Sequence, residues 1–217
     1  MLFRSRENLS KDYLKFLKES GYAPELDSAS GLMIAKRILK YNQSVRDTAQ
    51  REGLSLNGAD GTYIVSISQP DGRNLIESLG GKLLTTGLMY KLFIPYIKEL
   101  AQNGNAEAQE TLNEMINTKA EWLEDLVLDK SRLKIGNKKR RITLPNKNGR
   151  YDRADISEFG YPTSVKNEGE FFYWHVSGDE RAAFRGWDSE LNLSLGRELS
   201  VEVDGLGVRR AKFFIKN

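Results

Sequence analysis

The spacing of hydrophobic residues changes part-way along this chain of 217 residues, and that change limits the folds open to it. Before Asp129, apolar residues recur mainly at helical spacing. After Asp129, short segments alternate apolar and polar residues between turn residues, as strands do. Helices followed by closely spaced short strands indicate an α+β fold rather than alternating α/β units.

Four helices are predicted in the first part. Ser10 is a suitable N-cap for the first helix, whose apolar face ends before Gly21. Pro95 is expected to kink the third. One strand, Thr62–Ile67, is predicted between the helices because it is rich in β-branched and aromatic residues. The predicted helices cover residues 10–21, 30–53, 83–100 and 106–128.

Short strands dominate the second part. A hairpin is predicted where 132–135 and 140–144 flank Gly136-Asn137. A turn at Gly196-Arg197 is expected to join two strands with one apolar and one polar face. Residues 145–167 have the composition of a loop. The four later strands are predicted at 170–176, 190–195, 198–203 and 208–215.

Two composition facts exclude several kinds of site. The chain has no cysteine, and His175 is its only histidine. Disulfides, thiolate nucleophiles and multi-histidine metal sites are therefore excluded, and a Ser-His-Asp triad would need His175. We expect no enzyme activity, no cofactor and no metal needed for folding. Calcium would have only carboxylates such as Asp152 and Asp155, where helix capping is favoured instead.

The charge balance bears on the partner. The chain has 33 basic and 30 acidic residues, a formal charge of +3, so its surface mixes both signs. This disfavours nucleic acid as a partner. The basic run 134–141 leaves open an alternative function, a nucleic-acid-binding accessory protein, although a solvated hairpin tip is favoured. The sequence has no secretory signal at its start and no membrane-length apolar run, so we expect no membrane insertion.

Alternation within Phe171–Ser177 assigns two faces to one strand. Phe172, Trp174 and Val176 are predicted to face the core. Tyr173 and His175 are then expected to point outward. A lone histidine without an evident partner is more often structural than catalytic.

Two short motifs frame the C-terminal alternating segment. Phe184-Arg185-Gly186-Trp187 precedes it, and Gly205-Leu206-Gly207-Val208-Arg209 closes it. Over about Phe171–Ala211, this pattern resembles the variable proteins of diversity-generating retroelements, and most closely their archaeal branch. The bacterial pattern differs, because its opening usually has Arg-Gly-Gly-Ser-Trp.

The resemblance implies a C-type lectin-like fold with a short-stranded antiparallel sheet and two helices. In that family, adenine-directed mutagenesis diversifies codons near the gene's end, and the fold presents the variable side chains as a ligand-binding face. The implied ligand is unknown and is expected to be a protein on a cell or virus surface. The implied ligand-binding positions are Asp188, Asn192, Ser194, Arg197, Ser200 and Asp204, joined by Tyr173 and His175.

The resemblance also implies a division of the chain. Residues 1–58 would form a helical N-terminal extension, and residues 59–217 a lectin-like domain with its variable region at about 171–210. The strand at 62–67 would pair with the last strand, 208–215. Scaffold roles are implied for Trp187, Leu191, Leu193, Leu195, Leu199, Val201 and Val203.

Overall fold

The computed structural model describes residues 2–3, 10–22, 30–35, 37–56, 58–64, 66–117, 120–175, 180–186, 191–198 and 206–215. Within them, helices and strands together give an α+β fold, as the periodicity predicts. The helices are α1 (Lys11–Glu19), α2 (Gln43–Arg51), α3 (Gln69–Ser78), α4 (Thr86–Leu88), α5 (Ile94–Gln102) and α6 (Ala106–Asn117). A π-helical turn, Met89–Phe93, joins α4 to α5, and Arg153–Asp155 forms a 3-10 helix. None of the described helices is long and apolar enough to cross a membrane.

The described strands form two sheets. They are β1 (Leu2–Phe3), β2 (Ser30–Ile34), β3 (Ala120–Asp129), β4 (Arg132–Ile135), β5 (Lys138–Arg141), β6 (Gly149–Tyr151), β7 (Phe171–Trp174), β8 (Arg181–Gly186), β9 (Asn192–Glu198), β10 (Leu206–Gly207) and β11 (Ala211–Ile215). The small sheet has the order β1-β2-β11. The large sheet has the order β5-β4-β3-β8-β9-β7-β6, and β10 adds in parallel beside β3.

Strand β3 has a hydrophobic core on each side. Leu123 and Val127 belong to the larger core, which α1, the π-helical turn and α5 also enter. Trp122 on the opposite face belongs to a second core with α2 and α3, and its indole Nε1 donates a 2.6 Å hydrogen bond to the carbonyl of Ile67. A strand covered on both faces is buried almost along its whole length.

Several predicted elements are confirmed. Ser10 caps α1, since its Oγ accepts a 3.1 Å hydrogen bond from the Tyr13 amide. The hairpin around Gly136-Asn137 forms as β4 and β5. The helix predicted over 83–100 begins at Thr86, and its π-helical turn directly precedes the segment that contains Pro95.

Two predicted helices are partly wrong. The one predicted over 106–128 ends at Asn117, and strand β3 follows. Because β3 has apolar residues on both faces, its pattern fits helical spacing as well as strand spacing. The helix predicted over 30–53 starts only at Gln43, where the Asn42 side chain accepts from the Val45 amide. Residues 30–34, predicted as the start of this helix, form strand β2 instead.

Three strand predictions also need correction. Strand β2, and not residues 62–67, pairs with β11. The described residues of 62–67 form no strand, only a bridge from Tyr63 to Lys40. Gly196-Arg197 lies inside β9 rather than at a turn, and Arg197 pairs with Ala182 of β8. Strand β8 escaped prediction because Arg181–Gly186 has small and charged residues in place of a β-branched pattern.

The two faces of β7 are the reverse of the prediction. Phe171 and Tyr173 are buried in the larger core, whereas Phe172 is half-buried and Trp174 is 40% exposed. All four residues of β7 are aromatic, so alternation puts two aromatic residues on each face of the strand. Hydrophobicity alone therefore could not identify the core side.

The boundary proposed after residue 58 stays a prediction. The structure does, however, pack residues from both sides of it into common cores. Tyr13 and Phe16 of α1 contact the ring of Phe159 edge-on, with centroid distances of 5.5 and 5.3 Å. Val45 of α2 shares the second core with Trp122.

Phe171 and Phe172 give a matched test of the two faces of β7. Replacing Phe171 by Ala should cost roughly 3–5 kcal/mol of unfolding free energy, since its ring is fully buried. Replacing half-buried Phe172 by Ala should cost no more than about 1.5 kcal/mol. Urea unfolding of both variants measures the difference, and equal losses would contradict this orientation.

Candidate ligand-binding site and its buried anchor

A buried carboxylate joins the two framing motifs. Glu121 of β3 accepts hydrogen bonds from Arg185 Nε at 2.8 Å and from Arg209 Nε at 2.7 Å. All three side chains are at most 1% exposed. Arg185 belongs to the opening motif and Arg209 to the closing motif. One acidic side chain therefore anchors both ends of the segment between them.

Each guanidinium of this anchor has further acceptors. Arg185 Nη1 donates to the carbonyls of Met115 and Gly186, and Arg209 Nη1 donates to the carbonyl of Ala35 at 2.8 Å. The Arg209 guanidinium also lies 4.8 Å from the centre of the Phe93 ring. Buried charges are tolerated when they are paired and hydrogen-bonded in this way.

The two arginines determine the ionisation of Glu121. Burial by itself would raise the pKa of this carboxyl, but Arg209 and Arg185 outweigh burial and hold the pKa below its usual value. The folded state therefore favours the carboxylate. This contribution to stability is complete above the unfolded pKa and is lost as the pH falls towards the lower folded pKa.

Strand pairing brings the ends of the framed segment to the same residue. Glu121 lies opposite Arg185 of β8 on one side of β3 and opposite Gly207 of β10 on the other. Neighbouring strands are about 4.8 Å apart. Gly186 at the end of β8 and Leu206 at the start of β10 therefore lie about two strand spacings apart, on either side of β3.

Close packing explains the glycines of both motifs. A β-carbon at Gly186 would lie 1.9 Å from Asn192 Oδ1. A β-carbon at Gly207 would lie 2.7 Å from the carbonyl oxygen of Ile64. Real β-carbons do not approach other atoms so closely, so both motifs need glycine where strands and side chains meet.

The structure corrects the expected exposure of three proposed ligand-binding residues. Tyr173, Asn192 and Ser194 are 0%, 1% and 7% exposed. Tyr173 points into the core, as described above. Ser194 lies in register between Phe184 of β8 and Trp174 of β7, so large side chains flank it on the same face. The leucines on the other face of β9 are buried as well.

Of the remaining proposed positions, His175 and Arg197 lie among the described residues. His175 is half-buried, and its amide donates a 2.7 Å hydrogen bond to Asn148 Oδ1. Burial, helped by the charge of Lys130, lowers the pKa of His175. Arg197 lies in β9, but its side chain is not described. Asp188, Ser200 and Asp204 lie outside the described residues, as do Trp187, Leu199, Val201 and Val203.

A partly exposed aromatic pair on β7 lies beside β9, where the sequence predicted core residues. Phe172 pairs in register with Asn192, and Trp174 with Ser194, so these four residues share one face of the sheet. The two aromatic rings lie 4.8 Å apart, and the Arg150 guanidinium lies 5.8 Å from the Phe172 ring. Neither amide atom of Asn192 has a hydrogen-bond partner among the described residues.

A second buried carboxylate lies further along β3. Asp125 Oδ2 accepts 3.0 Å hydrogen bonds from the Thr86 amide and the Tyr161 hydroxyl, while its other oxygen has no described partner. Among the described residues, no cation compensates for its burial as the arginines do for Glu121. Burial therefore raises the pKa of Asp125 to about 7.

The carboxylates considered for calcium, Asp152 and Asp155, are paired with a lysine of the same chain. Lys166 Nζ contacts Asp152 at 2.7 Å and Asp155 at 3.1 Å, and the Asp155 carboxylate accepts from the Asp152 amide at the 3-10 helix. The lysine takes the position that a cation would need. Nowhere in the described part of the chain do three side chains of the metal-binding types converge.

Comparison with protein families, curated proteins and solved structures finds no match to this chain. Function must therefore be inferred from the residues and their geometry.

Replacing Glu121 by Gln should destabilise the protein by roughly 3–5 kcal/mol, because it leaves two buried guanidinium groups without their counter-charge. Glu110→Gln is the control, since the Glu110 carboxylate is 67% exposed and pairs with Arg37 at the surface. The unfolding free energy that Glu110→Gln loses should stay within about 1 kcal/mol. Urea unfolding compares the variants, and similar losses would contradict the anchoring role.

Asp125 should make stability depend on pH. Since its folded pKa is about 7 and its unfolded pKa is about 4, only the folded state keeps the proton between these values. The contribution of Asp125 to the unfolding free energy therefore falls by up to about 1.4 kcal/mol per pH unit as the pH rises from about 4 to about 7. Above about pH 7 the contribution levels off. Asp125→Asn should remove that fall. Unfolding free energies of both proteins between pH 5 and pH 8 test this, and parallel curves would refute it.

Proposed function

We propose that this chain is a ligand-binding display protein and not an enzyme. In this proposal it is a variable protein of a diversity-generating retroelement with a C-type lectin-like fold. The observation that carries the proposal is the shared carboxylate of Glu121, which binds Arg185 and Arg209 of the two framing motifs. A display protein needs a constant frame around a segment whose side chains change.

The geometry of this frame suits that purpose. The paired arginines and the two glycines are buried. Their contacts therefore do not depend on exposed side chains between the motifs. Substitution there would leave the anchor intact. A rigid frame also lowers the entropy cost of ordering a binding surface.

We propose that the exposed side of β7 forms the constant part of the ligand-binding surface. Trp174 is the large hydrophobic residue that is most exposed among those described, and Phe172 and Arg150 lie beside it. Aromatic residues and arginine contribute most to protein–protein binding. The variable part would come from Asp188, Arg197, Ser200 and Asp204, and the partner would be a protein on a cell or virus surface.

Sequencing the gene in a natural population tests the diversification directly. We expect substitutions at adenines to concentrate in the codons for 187–205 and to spare those for Arg185, Gly207 and Arg209. A near-copy of this region should lie next to a reverse transcriptase gene. Evenly distributed substitutions with no such copy would reject the retroelement assignment.

A displayed library tests the binding role. Codons for Asp188, Ser200 and Asp204 would be randomised and the library selected on immobilised hen lysozyme, with Gln50, Gln109 and Lys147 randomised as an exposed control set. Only the first library should yield binders, and Trp174→Ala should weaken them by at least about tenfold. Equal success of the two libraries, or binding unaffected by Trp174→Ala, would oppose this surface.

A further inference from the structure

The edge strand of the large sheet is strongly basic. Strand β5 consists of Lys138, Lys139, Arg140 and Arg141, all exposed, and among the described strands it is the last at this edge of the sheet. Charged residues on an edge strand discourage pairing with another copy of the same edge. That protection needs few charges, whereas here every residue of the strand is a cation.

The register creates two like-charge pairs on one face. Lys139 lies opposite Lys134, and Arg141 lies opposite Arg132. Leu133 and Ile135 of β4 are buried in the larger core, so the four cations point away from that core. Like charges directly opposite each other destabilise a sheet. Arg132 is also paired with Asp129, at 2.5 Å.

Hydrogen bonding in the hairpin leaves the backbone of this edge open. The Ile142 amide donates to the Ser131 carbonyl at 2.8 Å, which makes 131 and 142 a hydrogen-bonded pair. Pairs alternate along an antiparallel ladder, so the pairs at Lys139 and Arg141 are not hydrogen-bonded. The backbone amides and carbonyls of these two residues therefore point outward, and their side chains lie close to those of β4.

Contacts with α1 hold the hairpin in place. The Arg140 guanidinium lies 5.0 Å from the centre of the Phe16 ring. The Asn137 amide donates a 3.1 Å hydrogen bond to the carbonyl of Ser20, and a β-carbon at Gly136 would lie 2.4 Å from the same oxygen. The edge is thus ordered before any partner binds, which reduces the cost of binding.

We propose that β5 binds an extended acidic peptide segment of a partner protein by strand addition. The main chain of the peptide would pair with the outward amides and carbonyls of Lys139 and Arg141. Alternate residues of a strand point to the same face, about 6.8 Å apart. Acidic residues at alternate peptide positions would therefore face the four cations and relieve their mutual repulsion.

Peptide rather than nucleic acid is the partner that these observations favour. Open backbone donors and acceptors along an edge match another peptide chain, and phosphates use only donors. The formal charge of the whole chain is only +3. A nucleic-acid binder usually has a larger excess of positive charge.

Fluorescence anisotropy tests the proposal with a labelled peptide of alternating Glu and Thr. The full chain should bind it, and Lys139→Glu with Arg141→Glu should weaken binding by at least about tenfold. Lys147→Glu is the matched control, because Lys147 is exposed in the loop before β6 at the other edge of the sheet. The double variant should melt no earlier than the wild type, since opposite charges replace like-charge pairs.

Two further probes separate strand addition from plain charge attraction. The same peptide with N-methyl groups along one edge keeps its charge but loses main-chain donors, so it should bind at least about tenfold more weakly. A single-stranded DNA oligonucleotide should bind more weakly than the unmodified peptide. No peptide binding, equal binding of the methylated peptide, equal loss with Lys147→Glu, or tighter binding of DNA would each overturn the proposal.

Discussion

The buried ion pairs of Glu121 are the interaction on which the rest of the structure depends. They join the interior strand β3 to β8 beside it through Arg185 and to the segment after β10 through Arg209. Taking three charged groups out of water is costly, and mutual attraction offsets that cost only when every group is well paired. The carbonyls of Met115, Gly186 and Ala35 accept further hydrogen bonds from the two arginines, so elements distant in sequence all contribute to one buried cluster.

A comparison of Glu121 with Asp125 shows that neighbours, more than burial, decide what a carboxylate does. Both point to the same side of β3 and both are fully buried. The guanidinium groups hold the pKa of Glu121 low, whereas the described hydrogen-bond partners of Asp125, Thr86 and Tyr161, are uncharged, and burial raises its pKa to about 7. Glu121 therefore stabilises the fold as an anion over the physiological range. Asp125 is the group of the pair that can change its charge near neutral pH.

Local signals were predictable from the sequence, and long-range ones were not. The Ser10 cap, the Gly136-Asn137 hairpin and the helix that contains Pro95 depend on a few adjacent residues, and all three form. Strand β3 was mistaken for helix because burial on both faces removes the two-residue period. The faces of β7 were reversed because Phe-Phe-Tyr-Trp is apolar on both sides. The motif arginines could be found from the sequence, but their common partner Glu121 could not, since sixty or more residues separate it from each of them.

The position of β9 separates the residues that hold the fold from those free to change. Residues 192–195 of β9 are buried on both faces of the strand, so the polar alternation that suggested a display face belongs partly to the scaffold. Exposed side chains on this side of the sheet occur instead towards its two ends, at Trp174 on β7 and at the cations on β4 and β5. Helices α2 and α3 cover the middle through the core around Trp122. Four strand spacings, roughly 19 Å, separate β7 from β4. The two proposed surfaces are therefore built from different residues at separate places on the sheet, and neither needs the side chains of the other.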